Sequence, residues 1–486
     1  MNFQFLIPEL TLIIGAFLLL IIGVFYKQKT MYSQQNLTMF LHFFALIVIG
    51  ISLAFSTKNF IDHEPIFSSM LKITPISSLA KTITLLLLIV VTLMVIRYVL
   101  ETEKFGPEFL SLLFLATAGG LIMISANDFF VLYTGLELQA LSCYVLASFN
   151  LWSVKSSEAG IKYVILGSLA SGLLLYGISL VYGYSGSTNF TQISQYLSTF
   201  NNENFPPVAL IFGFVLIAVA LFFKIASAPF HMWAIDVYEG APTAVIAFFG
   251  TVIKFTTVIA MAILMINLSL VILAKVLLLV GFISVVIGSV GGIAQQNIKR
   301  LFAYSSVANV GFILLTISPL QKEIFPNVLI YTTIYSFISV GLLAFLNLIL
   351  SANHQESDLE NRKIFSITAL SGLSKTNPII AFCLAIYFFS IAGIPPLAGF
   401  FAKFYAIKSL IIGGNLLIAI MVIIFTVVSA FYYLRIIKIM YFDQPNNIIV
   451  LDDFANAKFV IIIFAIFNLT AVFFIEKIEK AIYSFL

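Results

Sequence analysis

Apolar runs of about 20 residues, separated by short polar breaks, recur from one end of this sequence to the other. As a helix, each is long enough to cross a hydrocarbon core of about 30 Å. Lipid offers the backbone no hydrogen-bond partner, so a crossing segment must satisfy its own N–H and C=O groups, and continuous apolar runs of this length do so as helices. Of 486 residues only 9% are charged and 61% are hydrophobic, where ordinary soluble domains are roughly 25% charged. The expected fold class is an all-α polytopic membrane protein with no separate soluble domain.

Spans are expected near residues 5–25, 37–55, 77–99, 108–125, 128–149, 160–184, 206–235, 241–266, 272–294, 302–318, 328–350, 378–411, 416–441 and 455–475. These make about fourteen. The first is read as a retained helix, because no basic segment precedes it. The closely spaced pair within 108–149 is divided by the polar Asn127-Asp128. An even count puts both termini on one face. The excess of lysine and arginine in alternate loops, among them Lys27, Lys29, Lys104, Lys155, Lys162, Lys299, Arg300, Arg362 and Lys363, places the termini away from the cytoplasm or matrix.

Two spans are too long for one crossing and contain proline. One reads Leu221 to Trp233 around Pro229, the other Gly393 to Lys403 around Pro395 and Pro396. Proline removes a backbone donor and clashes with the preceding turn, so both helices should break at depth and free carbonyls that need protein or water around them. Broken helices at comparable places in two halves point to inverted repeats with a transport site between them. The expected division is an N-terminal three-helix segment (1–107), a first inverted five-helix repeat (108–266), a second (267–441) and a C-terminal helix (442–486).

Ionisable residues at mid-depth should be Glu137, Lys224, Lys254 and Lys403. Each costs about 2.5–3.5 kcal/mol against lipid, so they should face the interior and interact. Glu137 is the acid among them, with Lys224 its expected partner. A static ion pair would account for those two, but three lysines and one acid cannot pair off. A lysine between a carboxylate and an apolar wall is switchable, and waters can bridge the gaps in a path from Glu137 through Lys224 and Lys254 to Lys403. His231 beside Pro229 is a possible relay, or satisfies a freed carbonyl. His42 suits a core hydrogen bond better than a water path. Tyr133, Ser142, Ser227, Thr251 and Thr256 could hold waters or act as interhelical glue. Lys275, near the end of its span, can snorkel. Asp128, Glu158, Lys162, Asp236 and Glu239 fall at loop edges where solvation makes them cheap, and Lys299-Arg300 suit a topology signal.

Cys143 and Cys383 lie singly inside apolar runs, and His42, His63, His231 and His354 are scattered. No metal, haem or iron–sulfur spacing can be built from them, so no cofactor is expected in this chain. No basic run interleaved with aromatics suggests nucleic acid, and that class is set aside.

The stretch Ala228-Pro-Phe-His-Met-Trp-Ala-Ile-Asp-Val-Tyr-Glu-Gly-Ala-Pro-Thr243, together with Gly393-Ile-Pro-Pro-Leu-Ala-Gly-Phe-Phe-Ala-Lys-Phe404 and Asn297-Ile-Lys-Arg-Leu-Phe-Ala-Tyr-Ser-Ser306, resembles motifs of the antiporter-like subunits of respiratory complex I. The resemblance covers essentially the full chain. Lysine rather than glutamate at 403 matches the N-type branch. The resemblance implies that Glu137, Lys224, Lys254 and Lys403 are proton-path residues and that the two repeats carry half-channels to either face. It also implies that FMN, iron–sulfur clusters and quinone belong to other subunits. The partners implied are the other membrane subunits, including a neighbouring antiporter-like subunit and small membrane subunits, with lipids around them. The setting would be a bacterial inner (plasma) membrane or a mitochondrial inner membrane. Asn309 departs from a histidine common in relatives, which argues against a histidine relay there. A multisubunit cation/proton antiporter shares the motifs and is the alternative.

Overall fold

The computed structural model describes residues 3–25, 31–58, 60, 64–102, 106–200, 205–268, 270–351, 364–445 and 455–483. His63, His354, Lys27, Lys29, Lys104, Arg362 and Lys363 lie outside the described residues. Helices carry the fold. In order they are α1 (Ile7–Phe25), α2 (Met31–Ser56), α3 (Pro75–Thr102), α4 (Pro107–Ser125), α5 (Phe129–Ala147), α6 (Val154–Ser185), a short α7 (Phe190–Leu197), α8 (Val208–Lys224), α9 (Met232–Gly240), α10 (Thr243–Phe248), α11 (Lys254–Leu268), α12 (Val271–Ile293), α13 (Ile298–Ile317) and α14 (Phe325–Ser351). Pro378–Ala392, Ala398–Ile412, Leu416–Phe442 and Ala455–Thr470 follow. Among the described residues twelve helices are long and apolar enough to cross a membrane, and the shorter Val208–Lys224 and Pro378–Ala392 begin the two interrupted spans. This matches the expected fourteen.

Local chemistry sets the boundaries. Asp128 divides α4 from α5 as an N-cap, its carboxylate accepting from the Phe130 N–H at 2.8 Å, which satisfies one of the donors that a helix start leaves unpaired. It also accepts from Thr188 Oγ1 at 2.6 Å and is buried. The expectation of a solvated Asp128 is therefore wrong. Prolines open α4 and the helix Pro378–Ala392, where their missing N–H is harmless.

Both interrupted helices break as the prolines dictate. The first stops at Lys224, passes through Ala226 at φ 59° and the cis Ala228-Pro229 bond, and resumes at Met232. The second stops at Ala392, turns at Gly393 with φ 90°, where glycine meets no Cβ penalty, and resumes at Ala398 after the cis Pro395-Pro396 bond. Side chains take up the freed carbonyls: Trp233 Nε1 donates to Phe223 O at 2.9 Å, and Lys403 Nζ donates to Ala392 O at 3.0 Å.

A matching pair of clasps holds the loop ends. Phe129 N–H donates to Thr188 O and Phe190 N–H to Asn127 O, at 3.0 and 2.9 Å. Ile298 N–H donates to Phe365 O and Ile367 N–H to Gln296 O, at 2.9 and 2.8 Å. In both, the bridged residues also cap the helical turns that follow them: Asp128 and Asn189 in one, Asn297 and Ser366 in the other. Five crossings separate the start of α5 from the start of α13, so the two clasps lie on opposite faces.

Glycines bring the central helices together. A Cβ at Gly119 of α4 would stand 2.5 Å from Gly135 O of α5, and one at Gly311 of α13 would stand 2.7 Å from Gly281 O of α12. With no hydrophobic drive between helices in lipid, such backbone approach supplies the packing. The most deeply enclosed helices are α10–α11, α13 and α14, whereas α12 and Leu416–Phe442 show much of their surface to the outside.

Candidate functional site

Glu137 stands midway along α5, half-buried, and its carboxylate accepts from Ser171 Oγ of α6. Two turns on, about 10 Å along the axis, Tyr144 presents its hydroxyl to Lys224 Nζ at 3.1 Å. Glu137 and Lys224 do not form the expected direct ion pair. Ser171 holds the acid, and Tyr144, two turns further along α5, meets the lysine. Tyr144 is held in place by an aromatic row, edge-on to Tyr163 at 4.8 Å between ring centroids, with Tyr163 stacked on Trp233 at 4.3 Å. Gly167 leaves room for its hydroxyl.

Lys254 opens α11 directly after a π-helical turn, Phe249–Ile253, a distortion common at functional positions in helices. The ammonium is buried and donates to Ser306 Oγ of α13. Lys403 is buried too, its ammonium on Ala392 O and 5.3 Å from the centre of the Phe312 ring. Between these two lysines lies a polar file. Ser305 and Tyr433 share a 2.6 Å hydrogen bond, Asn309 Nδ2 donates to Ser305 O at 2.8 Å, and Tyr331 donates to Asn309 Oδ1 at 3.0 Å. Tyr331 stacks on Phe312, beneath the Lys403 ammonium. Asn309, where a histidine relay was not expected, is a bridging amide that donates to Ser305 O and accepts from Tyr331.

Each of the three lysines thus meets a neutral acceptor: a phenol, a hydroxyl or a carbonyl. No carboxylate forms an ion pair with any of them among the described residues. An ammonium in so small a shell is poorly solvated.

Other expected residues have local duties. His231 is buried at the head of α9 beside the Tyr304 ring, 6.2 Å between centroids, and no hydrogen bond joins it to the four ionisable residues. His42 Nδ1 bonds Thr38 O at 2.9 Å, the core role expected. Thr256 accepts from Gln139 Nε2 and Thr257 donates to Gln139 Oε1, both at 2.9 Å, tying α5 to α11. Ser142, Ser227 and Thr251 bond carbonyls of their own segments. Lys275 is exposed near the start of α12.

The loop-edge charges are not independent solvated groups. Glu239 meets Lys155 at 2.5 Å and Arg300 at 2.7 Å. Asp236 meets Lys162 at 2.7 Å and Arg300 at 3.3 Å, and Lys162 also reaches Glu158 at 2.7 Å. This network joins α6, α9 and α13. Lys299, expected as a topology signal, is buried. Sequence reasoning also missed an ion pair at 2.5 Å between Glu9 of α1 and Lys81 of α3, both almost fully enclosed. The available signal was two opposite charges, each about one turn inside an expected span.

The family described as "NADH:quinone oxidoreductase/Mrp antiporter, TM" matches residues 126–429. NADH-quinone oxidoreductase subunit N of Rhodospirillum rubrum is 39% identical over 484 residues, covering 98% of this chain and 96% of that protein. The subunit N of Pelagibacter ubique is 39% identical over 451 residues, covering 92% and 91%. In fold, the chain is similar to a chain of respiratory complex I from Thermus thermophilus with bound aureothin (TM-score 0.79, 23% identity, 97% and 98% covered). It is also similar to one of the Mrp complex from Dietzia sp. (TM-score 0.81, 18% identity, 99% and 96% covered). Near-full-length relatedness to named subunits, on a multi-pass helical fold with two broken helices, decides the assignment: the chain belongs to the NADH-quinone oxidoreductase subunit N family.

Proposed function

We propose that this chain is a non-redox membrane subunit of a proton-pumping NADH:quinone oxidoreductase, moving protons along Glu137, Lys224, Lys254 and Lys403 while quinone is reduced elsewhere in the complex. The observation that carries the reading is the set of three lysines inside the bundle, Lys254 and Lys403 buried and Lys224 half-buried, each on a neutral acceptor, strung from one broken helix to the other. Buried ionisable groups inside a membrane bundle are expensive and mark ion or proton paths. Ser171 and Tyr144 relay the field of Glu137 toward Lys224, and the Ser305–Asn309–Tyr331 file links the lysines of the two halves. His231, buried at the first break, is the candidate for a further relay beside these four. Two inverted repeats, 108–266 and 267–441, between a three-helix segment (1–107) and a C-terminal helix (442–486), explain why clasps of one design occur on opposite faces.

FMN, iron–sulfur clusters and quinone would be bound by partner subunits, and a neighbouring antiporter-like subunit would act electrostatically on Glu137. The bacterial relatives favour a bacterial plasma membrane. The fold likeness to an Mrp complex keeps cation/proton exchange as a second reading. Mild solubilisation of native membranes and isolation of this chain separates the two. Co-migration with flavin- and iron–sulfur-bearing subunits and inhibitor-sensitive NADH:quinone reduction supports the respiratory reading. Migration with small antiporter subunits, or alone, overturns it.

A further inference from the structure

Lys299 is a buried charge that the path above does not use and that, unlike Lys81, has no carboxylate partner among the described residues. It lies in the first turn of α13 and is 6% exposed. Its ammonium has one long hydrogen bond, to Ala241 O at 3.4 Å, and lies 4.3 Å from the centre of the Phe365 ring. No carboxylate pairs with it among the described residues, although its neighbour Arg300 is engaged by both Asp236 and Glu239. Arginine suits a fixed charge pair, whereas lysine can shed its proton on burial.

Lys299 also stands between two features. Outward is the ionic network of Lys155, Glu158, Lys162, Asp236, Glu239 and Arg300 at the loop face. Inward, Lys299 and Ser306 are seven residues apart, so they share a face of α13 about 10 Å apart along its axis. Ser306 holds the Lys254 ammonium and lines a cavity of about 20 Å³ with Tyr238, Ser305, Tyr335 and Ser339. That volume has room for one water among several polar partners. The Tyr238 hydroxyl on its wall makes no hydrogen bond with any described residue, and Tyr238 is flanked in α9 by the network residues Asp236 and Glu239.

The geometry points to Lys299 as a proton-loading residue for Lys254. This rests on the relay reading above and extends it to the face where protons enter. A hydronium ion drawn from the loop face by the Asp236 and Glu239 carboxylates gives a proton to the neutral Lys299 amine and leaves as water. The resulting ammonium passes one proton, through a water in the Tyr238–Ser306 cavity, to the neutral Lys254 amine and is neutral again. One proton and one positive charge move inward at each step, and no bond other than N–H and O–H is made or broken. The network fixes the mouth, while Lys299 is the group that changes charge.

The test uses the intact complex in native membranes, with assembly followed on native gels. Lys299→Arg keeps a cation at the mouth but removes the ability to release a proton. Lys299→Met removes both. If Lys299 loads Lys254, the Arg variant assembles yet loses coupled turnover and proton pumping about tenfold or more, as expected when a proton-transferring side chain is lost, and Met is no better than Arg. A Lys299→Arg complex pumping at the normal rate makes Lys299 a structural counter-charge and overturns the inference. If neither variant assembles, Tyr238→Phe decides, since normal pumping without that hydroxyl removes the inward step and overturns it as well. Lys254→Met is measured in parallel. Normal pumping by Lys254→Met sinks the relay reading itself, whereas its loss beside a normal Lys299→Arg sinks only the loading role.

Discussion

Lys224 Nζ and the Tyr144 hydroxyl are 3.1 Å apart, so the lysine at the first helix break rests on a phenol rather than on Glu137. The phenol is positioned by Tyr163 and Trp233, and Trp233 belongs to the half-helix beyond the break. The lysine, its acceptor and the break therefore form one mechanical unit, and a shift in any of them alters the ammonium's surroundings. Tyr144→Phe keeps the aromatic row and removes the acceptor. Coupled quinone reduction and proton pumping should fall several-fold in assembled complex, and unchanged pumping would make the hydroxyl dispensable.

Glu137→Gln keeps the shape that Ser171 bonds and removes the charge. Pumping should drop by about tenfold or more, equivalent to at least about 1.4 kcal/mol, with assembly intact. Lys224→Ala should impair pumping likewise by removing a protonatable group, while assembly stays largely intact because an apolar residue relieves the burial cost. Lys275→Ala, at an exposed position, should change little. Proton-to-electron ratios in inverted vesicles check all three, and a normal ratio in Glu137→Gln would reduce that residue to a structural role.

The Glu9–Lys81 pair is expected to hold α1 to α3 and to take no part in transport. Removing one partner leaves an uncompensated buried charge, at a cost of about 3–5 kcal/mol. Lys81→Met should therefore lower the thermal stability of the solubilised complex. The double change Glu9→Gln with Lys81→Met should recover most of the loss while pumping per assembled complex stays normal. A double variant as unstable as the single one would show that the charges act separately.

Packing at the glycine crossings gives a contrast within one chain. A side chain at Gly119 meets the Gly135 carbonyl at 2.5 Å and Gln139 N at 2.7 Å, whereas Gly50 and Gly172 have nothing within 4 Å. Gly119→Val should destabilise by about 1–3 kcal/mol and reduce assembly, while Gly50→Ala and Gly172→Ala should assemble normally. Native-gel yield measures this, and equal yields would mean that α4 and α5 can separate without penalty.

The fold was legible because lipid enforces one rule on every crossing segment: run length and proline position alone locate the helices and both breaks. Asn127-Asp128 looked like a simple polar break and proved to be an N-cap. The four mid-depth charges could be found because each stands out against apolar neighbours. Their partners could not. Tyr144, Ser171 and Ser306 are unremarkable in sequence, and which of many hydroxyls meets a lysine depends on how helices distant in the chain cross. Lys299 and Arg300 show the limit most sharply. Adjacent in sequence, one enters the interior and the other joins the carboxylates, because consecutive residues on a helix point about 100° apart. The π turn before Lys254 likewise leaves no mark in hydrophobic periodicity.

The two clasps carry a further consequence. Each ties the start of a central helix to the segment beyond its neighbour, and together they pin the bundle at diagonally opposite corners. Both bonds of each clasp join residues of the same half, 127–190 in one and 296–367 in the other, so helices within a half cannot slide past one another without rupturing backbone hydrogen bonds, and each half is stiffened internally. Within a half braced in this way, a change in the surroundings of one buried charge reaches its neighbours best as a shift of electric field and small side-chain swings.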